Sequence, residues 1–175
     1  MRGMNMMARA WAACGLLVMA AVAASCGGSP TQGKWSDPTK IDFYSGLHVN
    51  LARMTRTASG AFYWDSIRGT GTVPVRPGDQ VTVGYTLWLP DGTLVQTGSS
   101  ATVTLDSANV IQGWVDAMPG AVQGTLRQMV IPPELGYLYG NGSSIPPNTT
   151  LVFLVSVDRI NSASSSVVAA GDQQR

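Results

Sequence analysis

Residues 80–93 read Gln80-Val-Thr-Val-Gly-Tyr-Thr-Leu-Trp-Leu-Pro-Asp-Gly-Thr93, and this stretch decides the fold class. Val81, Val83, Tyr85, Leu87 and Leu89 alternate with Thr82, Gly84, Thr86 and Trp88. An extended chain sends successive side chains to opposite faces, so one face here is apolar and the other mixed. Pro90-Asp91-Gly92-Thr93 then supplies a hairpin turn, with Asp-Gly at the positions that favour positive φ. Working outward, Ala61-Phe62-Tyr63-Trp64 is a second β-rich run, entered through Ser59-Gly60. Gly69-Thr70-Gly71 and Pro77-Gly78-Asp79 punctuate the connection between the two. Residues 101–105, 126–131 and 151–160 complete the set of strands. Only residues 110–118 break the rhythm: Val110, Ile111, Trp114 and Met118 recur at helical spacing until Pro119-Gly120 stops them. One short helix among five or six strands predicts an α+β fold in which the helix closes one face of a curled antiparallel sheet.

The flanks read differently. Residues 1–10 carry Arg2 and Arg9 and no acid, and residues 11–24 are almost wholly apolar, ending in Ala23-Ala24-Ser25-Cys26. A positive start, a short apolar run and a small-residue site make residues 1–25 a signal peptide. The run falls short of the roughly 20 apolar residues that span a bilayer. Cys26 after small residues is similar to a bacterial lipobox, with Ala23 where that pattern prefers Leu. In that reading Cys26 is lipidated and the chain is anchored in a bacterial cell envelope. Gly27 beside it, rather than Asp, points onward to an outer membrane. Ordinary cleavage that leaves a free Cys26 is the alternative. The other cysteine, Cys14, lies in the segment to be removed, so the mature chain has no pair for a disulfide. Residues 26–42 read as a flexible tether, rich in Gly, Ser, Pro and Thr with one Trp. Residues 44–54 regain a pattern that fits either a first strand or an ordered lead-in to a domain over 43–161. Residues 162–175, rich in Ser, Ala and Gln, read as a disordered tail.

Composition removes several functions. Charged residues make up 12% of the chain and no Lys/Arg block occurs, which argues against nucleic acid as a partner. Gly69-Thr-Gly71 is followed by Pro74 and Pro77, which cannot open the helix a phosphate-binding loop needs. No Gly-x-Ser-x-Gly occurs, the single histidine is His48, and the acids are scattered, so neither a hydrolytic triad nor a metal site is expected. No cofactor is implied. What remains is an aromatic and aliphatic set, Tyr85, Val110, Ile111, Trp114, Tyr137, Ile145 and Phe153, which periodicity alone would assign to the core.

Several linked motifs carry more. Pro77-Gly-Asp79, Val81-Thr-Val-Gly-Tyr85-Thr, Asp91-Gly-Thr93, Val110-Ile-Gln-Gly-Trp114, Ile131-Pro-Pro-Glu-Leu-Gly-Tyr137 and Ile145-Pro-Pro-Asn-Thr-Thr-Leu-Val-Phe153 follow one another. In order and spacing they resemble the FKBP-type peptidyl-prolyl isomerases of bacteria, over residues 58–160. The resemblance implies a five- or six-stranded antiparallel sheet wrapped around the short helix. It also implies an apolar pocket with Trp114 as floor and Tyr85, Val110, Ile111, Tyr137 and Phe153 as walls, under a loop that includes Ile145. The Ile111 N–H and the Tyr137 hydroxyl would donate hydrogen bonds to an X-Pro substrate. Departures from the family pattern cluster on one wall: Val95-Gln96 replaces Phe-Asp, the next aromatic falls near Ala101, and the intervening segment is short. Asn109 stands at a Glu position on the rim, and Leu138 replaces a Gly. Two readings follow. One is a prolyl isomerase for exported proteins, monomeric, with weakened activity or altered specificity. The other is an inactive peptide-binding module held at the membrane.

Overall fold

In the computed structural model, residues 35–161 are described. The leader 1–25, Cys26, residues 27–34 of the tether and the tail 162–175 lie outside them. Six strands make one antiparallel sheet: β1 (Thr55–Arg56), β2 (Phe62–Ile67), β3 (Gln80–Trp88), β4 (Leu94–Thr104), β5 (Leu126–Ile131) and β6 (Leu151–Asn161). Their spatial order is β1-β2-β5-β6-β3-β4. The helix α1 is Gln112–Ala117, six residues or about 1.7 turns long.

β3 lies between β4 and β6, and its alternation sorts cleanly. Val81, Val83 and Leu87 turn inward and pack with Met129 and Ile131 of β5, Phe153, Val155 and Val157 of β6, and Trp114, Ala117 and Met118 of the helix segment. Trp88 belongs to the opposite face.

β4 is longer than the short 101–105 strand its sequence suggests. Its register against β3 runs from Val83↔Ala101 to Tyr85↔Gly98, three steps against two, so one extra residue is inserted. Ser100 takes a positive φ of 54° there. Such a bulge switches the inward parity, from Gln96 and Gly98 on one side to Ala101 and Val103 on the other. No single alternation can be read through it, which is why the strand looked shorter.

Residues 43–54 form an ordered lead-in and not a strand, with 3₁₀ turns at Ser45–Leu47 and Leu51–Arg53. Leu47 is buried against Phe62, Val130 and Val152, so this segment covers the sheet's second face. The Gln128 Nε2 ties it down by donating to the Leu47 carbonyl at 2.7 Å. Order also reaches back into the segment read as tether. Trp35 packs against the main core, its carbonyl accepts the Thr150 N–H at 2.8 Å, and Pro38 is buried. An isolated tryptophan leaves no periodic trace, so composition could not show this docking.

The sheet holds α1 chiefly through Arg127 of β5, whose side chain is 3% exposed. Its Nη1 donates to the carbonyls of Ala117, Met118 and Pro119 at 2.7, 3.1 and 3.0 Å, where the helix ends. Its Nε and Nη2 clasp both carboxylate oxygens of Asp65 at 2.6 and 3.0 Å, and its guanidinium carbon lies 4.4 Å from the Tyr63 ring centroid. Removing one partner of a buried pair strands the other group in a dry setting. We expect Arg127→Met to cost about 3–5 kcal/mol in urea unfolding. A loss under about 1 kcal/mol, the value of an exposed ion pair, would contradict this assignment.

Candidate active site

Ile111 caps α1 in an extended conformation, and the helix then runs against β5. Gly113 makes that approach possible, since a Cβ there would collide with the Ile131 side chain. One residue on, Trp114 is 5% exposed and meets two rings edge-on. Its centroid is 5.8 Å from that of Tyr85 on β3 and 5.5 Å from that of Phe153 on β6, with both pairs at 86°. Perpendicular pairs place a ring's positive edge on its neighbour's negative face and so fix each other's orientation.

Above this group opens a cavity of about 150 Å³. An apolar cavity of about that volume accommodates a benzene ring, so a five-membered ring fits. Tyr85, Gln96, Val110, Ile111, Trp114, Tyr137 and Phe153 all line it, as the sequence implied. Leu87, Val103 and Asn109 complete the lining. Leu87 and Val103 had only been legible as strand residues, and Asn109 only as a rim position.

Two residues expected to take part in substrate binding, Ile145 in the overhanging loop and Val95 on the β4 wall, lie outside the lining. Ile145 is 4% exposed in the core, where its N–H donates to the Asn141 Oδ1 at 2.8 Å. It anchors the loop over the pocket instead of facing into the pocket. Val95 packs at the margin of the main core and is absent from the lining, because β4 presents its neighbour Gln96 there. Neither Trp88 nor Leu138 fills the space: Trp88 lies on the other face, and Leu138 is outside the lining. The pocket is therefore open, with both tyrosines on its walls.

The polar groups around it are few and uncharged. Gln96 Nε2 donates to the Tyr85 hydroxyl oxygen at 2.7 Å. Asn109 is held by Asp106, whose Oδ1 accepts from its N–H at 2.9 Å and its Nδ2 at 2.7 Å. The Ile111 N–H donates to no backbone carbonyl among the described residues. Tyr137, 38% exposed, stands at the mouth. Among the described residues, no group of three or more His, Cys, Asp or Glu could hold a metal ion. The arrangement can bind an apolar ring, exclude water from it and offer hydrogen-bond donors. It holds no nucleophile paired with a base.

Comparison with known proteins gives this chemistry a family. The model of the FKBP-type peptidyl-prolyl cis-trans isomerases matches residues 71–158, from the connection before β3 into β6. The chain belongs to this family. An FK506-binding protein of Neisseria meningitidis serogroup B is 36% identical over 106 residues, 58% of this chain and 96% of that protein. A probable FKBP-type isomerase of Haemophilus influenzae is 40% identical over 130 residues, 71% of this chain and 51% of that one. Among solved structures, a peptidyl-prolyl isomerase of Pseudomonas syringae pv. tomato superimposes with a TM-score of 0.58 at 29% identity. That superposition covers 67% of this chain and 86% of that one. As an FKBP-type isomerase the chain acts on X-Pro bonds of proteins, the one class of peptide bond with an appreciable cis population.

The FKBP pocket also depends on a residue that never enters it. Gly98 pairs with Tyr85 across β3 and β4, and a Cβ on Gly98 would stand 2.5 Å from the tyrosine ring. We expect Gly98→Ala to displace that ring and lower kcat/KM about tenfold, since misplacement of under 1 Å is enough for such a loss. The coupled-protease assay measures it, and an unchanged rate would show that the ring's position is immaterial.

Proposed function

We propose that this FKBP domain accelerates X-Pro isomerisation in exported proteins at a bacterial cell envelope, as a monomer anchored by lipid on Cys26. The observation that carries the isomerase part is the open pocket floored by Trp114 between two perpendicular rings. Rotation about X-Pro crosses a barrier of about 18–20 kcal/mol because twisting breaks amide resonance. A planar amide is the more dipolar form and gains more from water, so a dry pocket lowers the twisted form relative to the planar one. The prolyl ring sits on Trp114 between Tyr85 and Phe153, while the Ile111 N–H and the Tyr137 hydroxyl hold the flanking chain. No proton is transferred and no covalent bond forms, so the absence of an acid–base set among the lining residues costs the reaction nothing.

Gln96 and the small Ala101 narrow the polar and aromatic surface on the β4 wall, which supports a modest rate or a shifted substrate preference. The open cavity argues against an inactive binding module. The envelope assignment is supported by the leader-like residues 1–25 and by Cys26 following small residues. One described helix, consumed in the domain's own floor, supports the monomer.

The test of the isomerase reading is NMR exchange on a proline tetrapeptide with residues 35–161. Trp114→Ala is expected to lower the rate at least about tenfold and Tyr137→Phe severalfold, each measured below the variant's own unfolding temperature. A folded domain with no acceleration would overturn the reading. For the anchor, the full chain expressed in bacteria should enter the detergent phase on Triton X-114 partition, and Cys26→Ser should move it to the aqueous phase. Identical partition of the two would exclude lipidation.

A further inference from the structure

The two tyrosines of the pocket are held in different ways. Tyr85 is fixed through its side chain, by the Gln96 amide at its hydroxyl and by the Trp114 indole at its ring. Among the described residues, the Tyr137 hydroxyl makes no hydrogen bond and its ring is paired with no other aromatic. Its place at the mouth, 38% exposed, is therefore set by its backbone, which means by the loop of residues 137–148.

Two glycines in that loop, Gly140 and Gly142, each take a φ of 74°, and glycine has the most backbone freedom to lose on ordering. The side chain between them removes that freedom. Asn141 Oδ1 accepts the N–H of Ser143 at 3.0 Å and that of Ile145 at 2.8 Å. The Asn141 N–H donates in return to the Ile145 carbonyl at 3.1 Å, and its Nδ2 to the Ser144 hydroxyl at 3.3 Å. Ile145 is buried in the main core, so this clasp ties the loop's tip to a fixed point. From the tip the tie runs on to Tyr137. The Gly140 N–H donates to the Tyr137 carbonyl at 2.9 Å, and the Asn148 N–H to the Leu138 carbonyl at 2.8 Å. The two limbs lie so close that a Cβ on Gly140 would stand 2.5 Å from the Ile145 carbonyl oxygen.

Resting on the reading that the Tyr137 hydroxyl holds the chain beside the proline, we propose that Asn141 is a positioning residue for that hydroxyl. Asn141 is exposed at the loop's tip and is absent from the pocket lining. It acts by closing the loop on Ile145 before substrate arrives, so that binding does not have to order the limb that carries Tyr137. A contact to the flanking chain is made in the planar and the twisted forms alike, so its loss raises KM more than it lowers kcat. The part that matters is the acceptor oxygen of Asn141. A carboxylate in its place accepts the same two N–H groups, whereas a methyl group accepts none.

The experiment measures kcat and KM for a proline tetrapeptide by NMR exchange in the full-length protein. Wild type, Asn141→Ala, Asn141→Asp, Tyr137→Phe and the double variant Asn141→Ala/Tyr137→Phe are compared, each below its own unfolding temperature. Asn141→Ala is expected to lower kcat/KM about fivefold, chiefly through KM, and Asn141→Asp to stay within about twofold of the wild type. In the Tyr137→Phe background the alanine should cost less than about twofold more, because the group it positions is already gone. Hydrogen exchange over residues 142–146 should quicken in Asn141→Ala and stay slow in Asn141→Asp. A loss that persists in full without the Tyr137 hydroxyl would overturn the positioning role. So would an Asn141→Asp as slow as Asn141→Ala, or an Asn141→Ala with the wild-type KM. Tyr137→Phe matching the wild type would instead remove the reading of Tyr137 on which the role rests, and a wild type that accelerates nothing would remove the isomerase reading itself.

Discussion

Arg127 crosses from strand β5 to the end of helix α1 and donates to three carbonyls there, those of Ala117, Met118 and Pro119. The rest of the site depends on that bond set. Six helical residues are too few to be stable alone in water, since nucleation fixes several residues before hydrogen bonds compensate. A cation at the helix's negative end, neutralised behind by Asp65, gives the short helix a fixed seat. Gly113 lets it come close to Ile131, and Trp114 is then delivered between Tyr85 and Phe153. The pocket is the consequence of where one strand's arginine ends a helix on another segment.

The same economy explains the chemistry. Prolyl isomerisation asks for a dry, shaped surface and a few donors, and the pocket's uncharged lining offers that. The departures on β4 follow from the backbone as much as from the side chains. A bulge at Ser99-Ser100 changes which residues face inward, putting Gln96 into the wall and keeping Val95 at the margin. The lead-in from Tyr44 to Met54 closes the opposite face, so the sheet has a covered back as well as a functional front.

Much of this could be read from the chain. Residues 80–89 declared a two-faced strand because their alternation is unbroken, and residues 126–131 and 151–160 were legible as further strands. Tyr85, Trp114 and Phe153 came from the linked motifs, since spacing alone made them core. Other features left no signal. Arg127 sits in a strand pattern where a charge normally marks the solvent side, so its burial depends on partners, Asp65 and the helix end, that are distant in sequence. The parity switch in β4 hides behind Gly98, Ser99 and Ser100, which carry no apolar marker. Ile145 was placed in the loop over the pocket by resemblance, and its burial in the core, with its N–H bonded to Asn141, carried no separate sequence signal. Trp35 docks as a single residue, and a single residue has no period.

The account's central claim is that the prolyl ring occupies the space over Trp114. A crystal structure of residues 35–161 with a short X-Pro peptide tests it most directly. The account predicts density for the prolyl ring above the indole, flanked by Tyr85 and Phe153, with the chain passing Ile111 and Tyr137. A peptide bound only elsewhere, such as in the groove by Trp64 and Trp88 on the sheet's other face, would contradict it.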